Sequence, residues 1–228
     1  KFGLLDTIVS PAVALVGNLL MAYVVYFIAR VAYLLENYGA FSEGLSLSHL
    51  CTIFGGGLVF DTSDMLYIVM MLFPLSFKET AVYHRICKWL FVVVNTLALI
   101  INLCDSVYFP YTLRRTTTSV FREFDNENNL GGIFFTELLR HWYFILLVAI
   151  VALLLWKFYL TPRTFSRQYQ TLKQRLVFAG VMLASLAVAT PLVIGGCRGG
   201  LGTGVRPITI NNANQYVSSP KECAIVLN

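Results

Sequence analysis

Five apolar stretches, each about the length of a bilayer crossing, constrain this 228-residue chain more than any other feature. They cover about residues 9–29, 50–73, 89–109, 142–160 and 176–196. A helix rises about 1.5 Å per residue, so about 20 residues cross a hydrocarbon core of about 30 Å. The pattern predicts an all-α polytopic membrane protein with five transmembrane helices. The first stretch is too long for the apolar region of a signal peptide, which holds about 7–15 residues. Composition agrees, since 57% of residues are hydrophobic and only 13% charged, against about 25% charged in soluble domains. The net charge of +5 therefore bears on orientation and on anionic lipid headgroups, and nucleic acid is not an expected partner.

Basic residues in the short connections assign the sides. Residues 74–88 carry Lys78, Arg85 and Lys88, and residues 161–175 carry Arg163, Arg167, Lys173 and Arg175 without an acid. The first connection sets Arg30 against Glu36 and Glu43. This distribution predicts a cytoplasmic amino terminus. The connection 110–141 and the tail 197–228 then lie outside. In the former, "TSVFREF" and "GGIFFTELLRHWYF" space their Phe, Leu and Trp residues as helices lying in the interface do. In the latter, "ITI" and "AIVL" alternate around turn residues, which predicts a short β-like connector. The abrupt stop after that strand-like run suggests a further domain beginning soon after Asn228.

Polar residues within the apolar stretches are the candidate chemistry. Asp61 and Asp64 sit three apart, on one helix face, and a charge in mid-bilayer costs about 2.5–3.5 kcal/mol or more, so it should face protein or water. Asn95 and Asn102, with Asp105, place amides and a carboxylate on the third stretch. Asp61, Asp64, Asn102 and Asp105 together form a candidate intramembrane polar cluster. An ion or proton path, a headgroup site and plain bonding between helices are all open readings. The glycines Gly55, Gly56 and Gly57 either break the second helix or let a neighbour close in. Arg114 and Arg115 follow the third stretch at headgroup height, where a guanidinium either binds a lipid phosphate with paired hydrogen bonds or snorkels to the nearest phosphate without specificity. Cys197 and Cys223 both fall on the outward side and are a possible disulfide. The histidines His49, His84 and His141 are far apart, so no metal site is expected within the chain.

"FDTSDMLYI", "NLCDSVYFPYTLRRTT" and "CRGG...RPITINNANQYV...KECAIVLN" resemble the membrane portion of lipoteichoic acid synthase-like sulfatases, of the kind found in Bacteroidetes. The resemblance implies a bacterial cytoplasmic membrane protein: five transmembrane helices followed by an extracytoplasmic alkaline-phosphatase-like domain. That domain would carry a threonine nucleophile and a divalent metal (Mn, Mg, Zn or Ca), and would act as a phosphoglycerol or phosphoethanolamine transferase or as a sulfatase-like hydrolase. No catalytic residue maps onto these 228 positions. The chain would be the anchor that positions a lipid substrate, with membrane phospholipids such as phosphatidylglycerol and its own soluble domain as partners. Arg114, Arg115 and Arg122 would then face that domain, and Arg206 would belong to the connector. The alternative is a stand-alone transporter or channel-like helix bundle with a polar core, or an assembly scaffold.

Overall fold

Long apolar runs with few breakers make long helices here. The structure, a computed structural model, describes residues 4–41, 46–72, 81–113, 115–116, 130–161 and 209–227, with positions 172, 176, 180, 183, 187, 190, 191 and 193–196. In chain order the helices are α1 (Leu4–Glu36), α2 (Tyr38–Phe41), α3 (Leu47–Leu72), α4 (Ala81–Thr112), α5 (Leu130–Arg140) and α6 (Trp142–Phe158). Two 3-10 turns, Ile210–Gln215 and Pro220–Glu222, lead into a last short helix, α7 (Cys223–Leu227).

Side-chain contacts fix the directions of the long helices. Asn37, just past α1, donates to the Ser106 carbonyl near the end of α4 at 3.0 Å, and the Tyr33 and Phe109 rings lie 5.5 Å apart. The carboxyl ends of α1 and α4 therefore sit together. Helix α3 returns along α1, pairing Asp61 with Arg30 and Thr62 with Tyr23 at 2.6 Å. Helix α6 also returns: its Tyr143 hydroxyl donates to Glu36 at 2.7 Å, while at its other end Leu160 exchanges two 2.9 Å bonds with the Asn18 amide. The up-and-down order brings α2, α5 and residues 209–227 to one end of the bundle, called here the connector end.

Two apolar clusters fill the interior. At the connector end Phe41 stacks on Phe109 at 5.1 Å, with Tyr33, Ile53, Ile225 and Val226 packed around them. Along the shaft, Val25 and Ala29 of α1 meet Leu99 and Leu103 of α4 and Val151 and Leu155 of α6. The outer faces are apolar as well: Leu20, Ile101 and Leu153 are 59%, 65% and 68% exposed, while Arg30, Asp61, Asn102 and Asp105 are buried.

The structure corrects the predicted architecture. Among the described residues two helices, not five, are long and apolar enough to cross a membrane: Val13–Glu36 and His84–Thr112. Helix α3 has the length, 26 residues, but interrupts its apolar run with Gly55 to Gly57 and with Asp61, Thr62, Ser63 and Asp64. Helix α6 is apolar but short; its 17 residues rise only about 25 Å. The β-like connector is also overturned, since no strand occurs among the described residues. "AIVL" lies within α7 instead, because Pro220 starts a helical turn and Glu222 Oε2 accepts the backbone N–H groups of Ser218 and Ser219 at 2.8 and 3.1 Å. Ala224, Ile225 and Val226 are consecutive and all buried, which an alternating strand with one wet face does not allow.

Candidate functional site

The residue that organises the connector end is Arg30, on the last third of α1 and 0% exposed. A buried charge is tolerable only when paired and hydrogen-bonded. Arg30 is both. Its Nη1 and Nη2 donate to Asp61 Oδ2 and Oδ1 at 2.9 and 2.8 Å, a bidentate pair. Its Nε donates to the Ile225 carbonyl at 3.0 Å and Nη2 reaches the Val226 carbonyl at 3.4 Å. The last carbonyls of a helix lack partners within it, so one guanidinium joins α1, α3 and the end of α7.

The glycine run on α3 makes this approach possible. A Cβ on Gly57 would stand 2.3 Å from Arg30 Cζ, and a Cβ on Gly56 would stand 2.4 Å from the Tyr216 ring. Gly55 faces open space. Of the two readings of these glycines, close approach is the one that holds: α3 continues unbroken through them, and the groups seated on its backbone are a guanidinium and an aromatic ring.

A second ionic group lies alongside on α4. Leu113 adopts φ 54 and closes the helix with a bond from its N–H to the Phe109 carbonyl at 2.7 Å. This left-handed residue reverses the chain, so that Arg115 folds back over α4. Arg115 Nη2 donates to Asn102 Oδ1 at 3.1 Å, its Nε lies 3.7 Å from Asp105 Oδ2, and the Thr116 N–H donates to Asp105 Oδ1 at 2.6 Å. Asp61, Asn102 and Asp105 of the predicted polar cluster are thus all buried, Asp61 with Arg30 and the other two with Arg115, whereas Asp64 is exposed on α3. Asn95 stays within its own helix, donating to the Phe91 carbonyl at 2.7 Å. Arg115 is turned toward Asn102 and Asp105 with its side chain 31% exposed. Arg114, Arg122, Arg206 and Cys197 lie outside the described residues. Cys223 carries a free thiol, which donates to Asn214 Oδ1 at 3.1 Å.

A third contact ties the connector down. His49 Nε2 lies 3.0 Å from Glu222 Oε2, joining the start of α3 to the turn before α7. Burial alone would raise the Glu222 carboxyl, but its bonds to His49 and to the Ser218 and Ser219 N–H groups outweigh that and hold it below the ordinary carboxylate range. Among the described residues no group of three or more His, Cys, Asp and Glu side chains is placed to bind a metal ion.

Sequence reasoning passed over Arg30 by counting it as a loop base. The available signal was its setting, "FIARVAYLL", with apolar residues on both sides of the arginine. A snorkelling anchor would have had only polar chain beyond it. No family model matches this chain, and neither curated proteins nor solved structures yield a match.

Proposed function

We propose that this chain is a membrane-embedded helix bundle with a polar core that works as an assembly scaffold, seating its connector, residues 209–227, against one end in a fixed orientation. The observation that carries this is Arg30, which spends its donors on Asp61 and on the terminal carbonyls of α7 at once. The apolar outer faces suit lipid. A transport path is the weaker reading, because Asp61 is closed by Arg30 and Asp105 by Arg115 and the Thr116 N–H.

The test is hydrogen exchange of residues 209–227 in detergent or nanodiscs. Arg30→Gln leaves Asp61 buried and unpaired, a change that typically costs about 3–5 kcal/mol, so amide exchange in the connector should accelerate by on the order of 100-fold or more. The double change Arg30→Met with Asp61→Leu removes both charges, which restores bundle stability in comparable cases. Its connector should still exchange fast, because the Ile225 and Val226 carbonyls have lost their donor. Unchanged protection in both variants would sink the scaffold reading.

The resemblance to lipoteichoic acid synthase-like sulfatases supplies a second reading, favoured by the seated connector. In it the scaffold presents an extracytoplasmic metal-dependent transferase or ester hydrolase domain above a bacterial cytoplasmic membrane, close to its lipid donor. The reading frame after Asn228 decides the point. Without an alkaline-phosphatase-like domain there, the enzyme reading fails.

A further inference from the structure

The end of the bundle opposite the connector carries a different chemistry. There α4 begins and α6 ends, side by side and antiparallel. Trp89 and Trp156 pack at 4.6 Å between ring centroids, and the Lys88 ammonium sits 4.3 Å above the Trp156 ring. Arg85, one turn nearer the end of α4, and Lys157, beside Trp156, are exposed. One cation thus sits on the tryptophan pair and two more flank it on the adjoining helices, the Lys157 ammonium lying 5.7 Å over the Phe158 ring, and the described side chains on these two helix ends include no carboxylate. The connector end is mixed by contrast, pairing His49 with Glu222 and His141 with Glu36 and Glu137.

We infer that Arg85, Lys88 and Lys157, with Trp89 and Trp156, form a docking site for the headgroup of an anionic phospholipid in the leaflet at that end. The inference rests on the membrane reading above and adds to it a lipid class and a place. Tryptophan settles at the bilayer interface, its ring in the acyl boundary and its N–H in the headgroup layer. The cation over Trp156 gains from the ring's negative face while standing at phosphate height. Cations on two helices meet one phosphate from two sides, and each basic residue near an anionic surface adds an attraction that zwitterionic lipid does not return. A lipid seated there would also bridge α4 and α6, which meet through these same rings.

Tryptophan quenching tests the site directly. Trp142 stands at the other end of the bundle, so Trp142→Phe leaves emission from Trp89 and Trp156 only. In nanodiscs, phosphatidylglycerol brominated on its acyl chains should quench that emission at a mole fraction lower than brominated phosphatidylcholine by on the order of fivefold or more. The preference should disappear in Arg85→Gln/Lys88→Gln/Lys157→Gln, and shrink in Lys157→Gln alone, whose exposed side chain leaves the packing intact, while quenching by phosphatidylcholine persists. Equal quenching by both lipids in the parent protein overturns the inference and leaves the membrane reading standing. No quenching by either lipid overturns both. Loss of the preference on adding millimolar inorganic phosphate at constant ionic strength would overturn the lipid assignment in favour of a site for soluble anions.

Discussion

At the scale of single residues, Arg30 and Gly57 are one device. The guanidinium occupies the space that a side chain at position 57 would take. Gly57→Ala places a methyl 2.3 Å from Arg30 Cζ, and in a packed interior an added methyl of this kind costs about 1–3 kcal/mol. Gly55→Ala meets nothing within 4 Å and should gain up to about 1 kcal/mol from helix propensity. Unfolding of the two variants in SDS titrations gives opposite signs if the contact is as described. Two alanines of similar cost would mean that Arg30 moves aside freely. The presence of a special glycine run was legible in the sequence. Which glycine mattered, and to what, was not, because its partner lies 27 positions away and looked like an anchor.

The element scale is clearest in α4, which runs through a proline. Pro110 has no N–H to give to the Ser106 carbonyl four residues back, the usual reason a proline weakens a helix interior. That carbonyl accepts the Asn37 side-chain amide instead, at 3.0 Å, so the fault in α4 is also its joint to α1. Removing the donor with Asn37→Ala should cost about 1–3 kcal/mol by leaving a buried carbonyl unsatisfied. In a Pro110→Ala background the helix supplies its own donor, and the same change should cost less. A double-mutant cycle on stability reads the difference; additive costs would show that the two positions are unconnected. The helices α1, α4, α5 and α6 were recoverable as helices from apolar runs and aromatic spacing. The connector was not: "ITI" and "AIVL" alternate too briefly to separate a strand from a turn of helix. Glu222, Pro220 and the apolar seat beneath α7 chose the helix.

For the whole molecule, the connector end is where pH acts. Glu222 has its carboxyl held below the ordinary range in the folded chain, so its contribution to connector docking is fully present above its unfolded pKa and is lost as pH falls through the lower folded value. Hydrogen exchange over residues 218–227 should therefore lose protection as pH drops below about 4.5, and Glu222→Gln should flatten that part of the profile while lowering protection at neutral pH. A profile with the same acid limb in the variant would place the effect elsewhere. The connector is held at two points, by His49 with Glu222 and by Arg30, so acid should loosen the turn before α7 while the Arg30 contacts still hold the helix end.

The sequence by itself determined that the chain makes long apolar helices with buried polar residues, because hydropathy and helix length are local properties. It also marked Asp61, Asn102 and Asp105 as residues needing partners, since a carboxylate or amide in an apolar run cannot be left alone. Only the tertiary structure decided who the partners are. Asp61 pairs with an arginine 31 positions earlier that also caps the chain's last helix 195 positions on, and Asp105 pairs with an arginine brought back by a left-handed Leu113. Pairings of that kind depend on which helix ends meet, and that follows from the antiparallel packing of the whole bundle. No window of sequence contains it.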